Sequence, residues 1–355
     1  MYKRIVAKVG TNVLSKDDGS IDAGVVEHLA EQISLLKKKG VEVVLVTSGA
    51  VGVGRTLFRQ KKRVDTVAEK QVFAAVGQIR LMSMYADLFA HEGYLSAQVL
   101  ATKEDFRDRQ HYENMRQCME NLLRDNVIPV VNENDVVAVA ELLFTDNDEL
   151  AGLIASQINA DALLILTSVD GIVAGDVHDP ASAVIREVNF SDIGALEKYV
   201  TSEKSEFGRG GMLTKFAVAK KLALQGIATH IVNGKKRDTL VGAAEERPIG
   251  TKFMPQKKLS SAKRRIAHSE GLAKGTVHVN DCTEEMLSSK KIMSLLPVGI
   301  TKVEGIFRKG DIIEIRGKAR KLGFGAAQYD SEKAAALAGK KGGRAIVHYD
   351  YLFIE

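Results

Sequence analysis

The sequence predicts an α/β chain: a mostly parallel sheet sandwiched by helices, followed by a small, mainly β domain. Three observations predict it. Strand-like and helix-like segments alternate from the first residues to about Phe253, the pattern produced by crossover units. From about Ala267 the chain changes to short strand-like segments separated by glycines and charged turns. A length of 355 residues exceeds one ordinary core. The expected boundaries are 1–253 for the first domain, 254–268 for a polar, basic linker and 269–355 for the second domain.

The elements follow in order. Ile5–Val9 is a short apolar strand. Val25–Lys38 carries Val25, Val26, Leu29, Ile33 and Leu36 at helical spacing and is closed by Gly40, a C-terminal cap residue. Val41–Val46 is a near-continuous aliphatic run, as expected of a strand covered on both faces. Val67–His91 reads as one long helix or a broken pair; its Met82, Met84, Tyr85 and Phe89 read as packing or a subunit interface. Leu95–Leu100, Val127–Val131, Leu163–Leu166 and Thr229–Val232 are further strand candidates. Glu113–Arg124, Leu150–Asn159 and Met212–Gln225 are helix candidates. In the second domain Gly275–Val279, Asp311–Ile315, Leu322–Gln328 and Ala345–Tyr349 read as strands and Asp281–Ser288 as a helix.

Composition narrows the function. Hydrophobic residues make up 45% of the chain, and no apolar run approaches the roughly 18 residues of a membrane span. Met1-Tyr2-Lys3-Arg4-Ile5-Val6 leads straight into strand-like sequence, so no signal peptide is visible and a cytoplasmic location is expected. Cys118 and Cys282 stand far apart without a partner motif. They fit a reducing compartment, argue against a disulfide framework or a cysteine zinc site, and are expected as packed or half-exposed thiols. The net charge of +5 allows anionic ligands without demanding nucleic acid. Lys257, Lys258, Lys263, Arg264 and Arg265 cluster where a solvated linker is expected. The eight histidines include no pair at metal-ligand spacing.

Chemistry concentrates in four places. After the apolar run Val127–Val131 come Asn132-Glu133-Asn134-Asp135 and then Thr145-Asp146-Asn147-Asp148, a crowd of carboxylates and amides that can hold a small polar substrate or Mg²⁺. After Val46 comes Thr47-Ser48-Gly49-Ala50-Val51-Gly52-Val53-Gly54. It is either a tight strand-to-helix turn or an anion site on a helix that starts near Ala50. Lys8-Val9-Gly10-Thr11-Asn12 ends the first strand. Its lysine is either buried opposite an anion or exposed on an edge strand. Phe207-Gly208-Arg209-Gly210-Gly211-Met212-Leu213-Thr214-Lys215 opens a helix with a lysine in the first turn. A cation is disfavoured there unless an anion lies between loop and lysine; the other reading is a flexible loop with a surface lysine. Neither a dinucleotide-binding G-x-G-x-x-G after Val46 nor a Walker pattern is present. Lysines around phosphate and acidic groups around a substrate are what phosphoryl transfer requires.

Six segments carry a resemblance: Ala7–Asn12, Val46–Val51, Lys70–Gln78, Asn132–Asp135, Asp146–Asp148 and Gly210–Lys215. In this order they resemble the glutamate 5-kinase family, and the resemblance covers essentially the whole chain. The first part is similar to an amino-acid-kinase domain. The part from roughly Gly271, with Leu295–Ile300 and Phe307–Asp311, is similar to a PUA domain. The resemblance implies a transferase that uses ATP to phosphorylate the γ-carboxylate of L-glutamate, giving L-glutamyl 5-phosphate, the first step of proline biosynthesis, with proline as feedback inhibitor. It implies Lys8, Lys215 and Asp148 as catalytic residues, with Asp148 holding the lysines. Ser48, Gly49, Ala50, Asp135 and Asn147 would bind glutamate. Lys8, Thr167, Ser168, Arg209, Gly210, Gly211, Met212, Leu213, Thr214 and Lys215 would line the ATP site. Mg²⁺ would be held mainly by the nucleotide phosphates rather than by protein ligands. A homo-oligomer, dimer or tetramer, is also implied.

Some positions depart from the family pattern. Arg209 stands where a threonine is common, and Ser168 where an aspartate is common. Val173–Pro180 keeps only Asp179-Pro180 of a usual Tyr-Thr-Ala-Asp-Pro run. Two alternatives compete. One is a kinase of aspartate, N-acetylglutamate or carbamate. The other is RNA binding by the PUA domain through Lys257–Arg265 and Arg308–Lys321, a less favoured reading that predicts affinity falling steeply with salt.

Overall fold

The computed structural model describes residues 1–58, 66–137, 144, 146–174, 183–192, 211–256, 263, 266, 273–289 and 293–354. The chain divides into two compact units: Met1–Thr102 with Arg116–Lys258, and Lys103–Met115 with Leu259–Glu355. Lys103–Met115 thus groups with the second unit although it lies inside the expected range 1–253.

Helices and strands run in chain order. First come β1 (Arg4–Val9), α1 (Thr11–Leu14), α2 (Ala23–Lys38), β2 (Glu42–Val46), α3 (Ala50–Leu57), α4 (Val67–His91) and β3 (Ser96–Ala101). Next are α5 (Lys103–Arg107), α6 (Arg109–Arg124), β4 (Ile128–Glu133), α7 (Asn147–Gln157) and β5 (Ala162–Thr167). Short strands β6 (Val173–Ala174), β7 (Ala183–Val184) and β8 (Glu187–Val188) precede α8 (Met212–Leu224), β9 (Ala228–Asn233), α9 (Thr239–Ala244) and β10 (Thr251–Phe253). The last are β11 (Gly275–Val279), α10 (Asp281–Ser288), β12 (Ile300–Gly305), β13 (Ile312–Arg316), β14 (Lys321–Ala326), α11 (Ser331–Leu337) and β15 (Leu352–Ile354).

The first unit is built on an eight-stranded sheet of order β3-β4-β2-β1-β5-β9-β10-β8. From β3 to β9 neighbouring strands are parallel, and β10 turns antiparallel to β9. Strand β1 sits between β2 and β5, so the chain builds outward in one direction through β2 and in the other through β5. The C-terminal ends of β1 and β5 therefore form the switch point at which open α/β sheets take ligands. Every residue of β1 after Arg4 is buried, as are Val43–Val46 of β2, because helices cover both faces. Val26, Leu29, Ile33 and Leu36 of α2 and Leu81, Tyr85 and Phe89 of α4 share one core with Ile5, Ala7, Val9, Val43 and Leu45.

Local chemistry sets the helix ends. The Asp22 carboxylate accepts from the backbone N–H groups of Gly24 and Val25 and starts α2. Gly40, with φ 79°, ends it as the sequence predicts. Thr66 and Glu69 form a reciprocal capping box, and α4 runs unbroken for 25 residues. Tyr85 and Phe89 are fully buried, and Met82 and Met84 pack against the core; packing is their role in this unit.

Helices α3 and α4 approach each other closely through glycine. A Cβ on Gly77 would lie 1.8 Å from the Ala50 carbonyl oxygen, and one on Gly54 1.9 Å from that of Phe73. Gly77→Ala is expected to push the helices apart at a cost of about 1–3 kcal/mol or more, read from urea unfolding.

His230 is fully buried beside Tyr2, whose hydroxyl lies 2.9 Å from its Nε2. Burial first, then Lys252, pushes the imidazole down to about 4. The depressed group is neutral in the fold but binds a proton in the unfolded chain below about pH 6.5. Stability from this site is therefore complete above about pH 6.5 and is lost as pH falls toward about 4, by at most about 3 kcal/mol. His230→Phe should flatten that part of the stability–pH curve.

The second unit holds a five-stranded sheet of order β12-β11-β13-β14-β15. Its core collects Val277, Ile313, Ile315, Leu322, Ile346 and Val347. Ala345–Tyr349, expected as a strand, contributes only the single bridge Leu295↔Val347 before the chain turns at Tyr349–Tyr351; the terminal strand is β15 instead. Helix α11 and strand β12 were not foreseen. Cys118 and Cys282 are both exposed, which corrects the expectation of packed or half-exposed thiols. Among the described residues no helix is long and apolar enough to cross a membrane.

Candidate active site

Lys8 is the penultimate residue of β1, at the switch point. With β2 and β5 on either side, β1 is no edge strand, and Lys8 is only 5% exposed. The reading of an exposed edge lysine is set aside. Gly10 turns the chain away beside it; a Cβ there would lie 3.4 Å from the Lys8 ammonium. An ammonium so buried needs a counter-charge. Asp148, in the first turn of α7 and fully buried, supplies it: Lys8 Nζ lies 2.6 Å from Asp148 Oδ1. Lys215, in the first turn of α8 and 7% exposed, reaches the same carboxylate, with Nζ 3.0 Å from Oδ2. Three residues far apart in sequence thus form one buried ammonium–carboxylate–ammonium cluster with a net charge of about +1, an arrangement fitted to a further anion.

Burial by itself would push the Asp148 carboxyl up, but the charges and hydrogen bonds of Lys8 and Lys215 outweigh it and hold it below the usual carboxylate range. Asp146 moves the other way. Burial first, and then the charge of Asp148, push it up. It caps α7: Oδ1 accepts from the backbone N–H groups of Asp148 at 2.8 Å and Glu149 at 3.1 Å. Its Oδ2 accepts from the Thr214 hydroxyl at 2.6 Å, tying the start of α7 to the start of α8.

The helices that open from the two glycine-rich segments, α3 and α8, start without a side-chain cap. Gly49 precedes α3 with φ 104°, a left-handed conformation suited to glycine. Gly211 precedes the thirteen-residue α8. Their free N–H groups and the helix dipoles favour anions, which supports the anion-site readings of both glycine-rich segments. Around Gly49 the polar side chains are joined by amides. Asn147 Nδ2 lies 2.6 Å from the Thr47 carbonyl oxygen, 2.9 Å from Ser48 Oγ and 2.9 Å from Asn132 Oδ1. Asn132 Nδ2 donates to Gln78 Oε1 at 2.8 Å.

The remaining expected residues have these places. Asp135 lies half-buried in the turn after β4. Thr167 ends β5, and Ser168 follows it; the Ser168 carbonyl accepts from Asn233 Nδ2 at 3.4 Å. Met212, Leu213 and Thr214 form the first turn of α8. Arg209 and Gly210 lie outside the described residues, as do Thr145, Val173–Pro180 beyond Ala174, and all of the basic cluster but Lys263. Asn132 and Asp146 stand in the crowd of carboxylates and amides that the sequence marks as a site, though without a role of their own there; Gln78 was not expected in the site. An N-cap signal was available for Asp146, an aspartate three residues before Glu149 at a helix start. Gln78 closes Lys70–Gln78, a segment that carries the resemblance, but nothing local gives this one polar residue on a long helix a role.

The chain matches the amino acid kinase family over residues 3–233 and the PUA domain over residues 275–349. It is 48% identical to the glutamate 5-kinase of Bacteroides thetaiotaomicron over 358 residues, covering 100% of this chain and 99% of the relative. It is also 48% identical to the glutamate 5-kinase of Chlorobaculum tepidum, covering 100% and 98%. Among solved structures it is similar to carbamate kinase from Giardia lamblia bound to AMP-PNP, with a TM-score of 0.54 at 20% identity over 72% of this chain and 99% of that one. UMP kinase from Bacillus anthracis gives a TM-score of 0.50 at 16% identity, over 71% and 96%. These two likenesses bear on the fold alone. With the buried lysine–aspartate–lysine cluster at the switch point and relatives matching along its whole length, the chain belongs to the amino acid kinase family, among its glutamate 5-kinases.

Proposed function

We propose that this protein transfers the γ-phosphoryl group of ATP to the γ-carboxylate of L-glutamate, forming L-glutamyl 5-phosphate and ADP, the first step of proline biosynthesis. The observation that carries the reading is the Lys8–Asp148–Lys215 cluster. An oxygen of the glutamate γ-carboxylate forms a bond to the γ-phosphorus while the bond to the β–γ bridging oxygen breaks and ADP leaves. The nucleophile is ionised at neutral pH, so no general base is needed. The work is alignment of two anions and neutralisation of charge on the moving phosphoryl. Lys8, from β1, and Lys215, from α8, supply that positive charge. Asp148 is held ionised between them and keeps both ammonium groups in place; a carboxylate so depressed takes no proton during turnover.

Ser48, the N–H groups at Gly49 and Ala50, Asn147 and Asp135 hold glutamate. The uncapped start of α3 suits a carboxylate, and Asp135 suits the ammonium group. Thr167, Ser168 and the start of α8, Gly211–Lys215, face the nucleotide. Mg²⁺ bound to the nucleotide phosphates supplies further charge neutralisation. The Asp148 oxygens are committed to lysines and those of Asp146 to amides and Thr214, so these carboxylates would not be the ion's ligands, and the nucleotide phosphates would hold it. A reaction that consumes ATP and glutamate belongs in the cytoplasm. Proline as inhibitor and a dimeric or tetrameric assembly complete the reading on family resemblance.

Trapping the acyl phosphate with hydroxylamine tests it. Glutamate with Mg-ATP should yield hydroxamate, and added proline should lower the yield. Hydroxamate from aspartate or N-acetylglutamate but none from glutamate would overturn the assignment.

A further inference from the structure

We infer that the second unit carries a binding site for a small phosphorylated molecule with an apolar or planar body, the make-up of a nucleotide. The site is a cavity beside the start of α6 and the turn Ile306–Asp311. It uses none of the residues assigned above to glutamate or ATP.

The cavity is open and measures about 450 Å³, a volume in the range of small-molecule sites. Its whole wall belongs to the second unit, including Asp108 and Arg109, which come from the segment Lys103–Met115. The cations Arg109, Lys274, Arg308 and Lys309 stand among the carboxylates Asp108, Glu113 and Asp311. The carboxylates are committed within the protein. Asp108 Oδ1 accepts from the backbone N–H groups of Gln110 at 2.8 Å and His111 at 3.0 Å and so caps α6. Asp311 Oδ2 accepts from the Arg308 backbone N–H at 2.8 Å, and its Oδ1 lies 3.4 Å from Lys274 Nζ. Glu113 is engaged as well.

Three of the cations are left over. Among the described residues, no ion pair or hydrogen bond uses the charged ends of Arg109, Arg308 or Lys309. The backbone that carries the last two is fixed: the Lys309 N–H donates to Asp330 Oδ1 at 2.7 Å and the Gly310 N–H to the Ala327 carbonyl at 2.7 Å. Gly310, with φ 91°, leaves room for Arg109 against the turn; a Cβ there would lie 2.5 Å from Arg109 Nη1. What the chain offers a ligand is therefore a set of positively charged donors, and phosphate oxygens are acceptors that suit them. Ile306, on the same wall and 88% exposed, is the most exposed large apolar side chain among the described residues. A nucleotide base or another apolar body would cover it. The interspersed carboxylates and the cavity's size favour one small molecule over a nucleic-acid strand, which takes a continuous basic track.

The test uses the full chain labelled at its isoleucine methyl groups for NMR. The Ile306 methyl signal, assigned by its loss in Ile306→Val, reports on this cavity. ADP or GDP, added at constant ionic strength, should shift it along a saturating curve. The midpoint should lie about fivefold or more below that of pyrophosphate, the scale of covering a small apolar area. Arg109→Gln and Lys309→Gln should each raise the nucleotide midpoint about tenfold, the scale of a hydrogen bond between charged groups. Arg124→Gln, farther along the same helix, should leave it unchanged. No saturating shift with either nucleotide would overturn the inference. So would equal midpoints for nucleotide and pyrophosphate, or wild-type midpoints in both Arg109→Gln and Lys309→Gln. A shift caused by a uridine oligonucleotide but by neither ADP nor GDP would also overturn it and would mark the surface as one for nucleic acid.

Discussion

Lys8→Ala and Lys215→Ala should each lower kcat by about 10²–10³, on the order of 3–4 kcal/mol of transition-state stabilisation. Both ammonium groups are nearly closed to water. In such a site a fixed charge acts on the transferring phosphoryl without the screening it would meet at the surface. The loss should fall on kcat and on the KM for ATP, leaving the KM for glutamate close to wild type, because glutamate is held from α3, Asn147 and Asp135. Steady-state kinetics by hydroxamate formation give the three numbers. A variant with less than tenfold loss would mean that its lysine does not meet the phosphoryl. Lys8→Arg is not a rescue: the buried ammonium sits 2.6 Å from Asp148 Oδ1, and the larger planar guanidinium does not fit a point-charge site.

Asp148→Asn should produce the largest loss of stability, roughly 3–5 kcal/mol by chemical denaturation. The amide is nearly the same shape, so packing is spared and the effect isolates charge. Two ammonium groups, now 2.6 and 3.0 Å from the Asp148 oxygens, would be left buried together with no counter-ion. Breaking a buried ion pair by removing one partner costs far more than the pair contributes when intact. In wild type the sign of the pH effect follows from the lowered carboxyl. Its contribution is complete above the unfolded aspartate value of about 3.9 and is lost as pH falls through the lower folded value. The variant should lack that acid-side loss. A denaturation midpoint equal to wild type, at neutral pH and in acid, would show that the cluster carries no net strain and that the lysines find other partners.

The linear pattern of the chain determined most of the scaffold. Aliphatic runs such as Val43–Val46 and periodic stretches such as that of α2 are local properties, and burial on both faces of a parallel sheet leaves a signature in neighbouring residues. The ends of α2 and α4 were legible because caps act within a few residues of the backbone groups they satisfy. Lys8, Asp148 and Lys215 could be nominated through motifs that resemble a known family. Ala345–Tyr349 shows the limit of the same reasoning: an apolar run has the composition of a strand, but a strand requires a neighbour, and here only Val347 finds one. Tertiary structure alone decided that Lys8 lies on a central strand and meets Lys215 across one carboxylate, that Gly77 lets α4 close on α3, and that Gln78, Asn132 and Asn147 join in one chain of amides. Each of these depends on which distant segments lie side by side. Sheet order and helix docking set that arrangement by maximising total apolar burial, a sum over the whole chain that no single window of sequence contains.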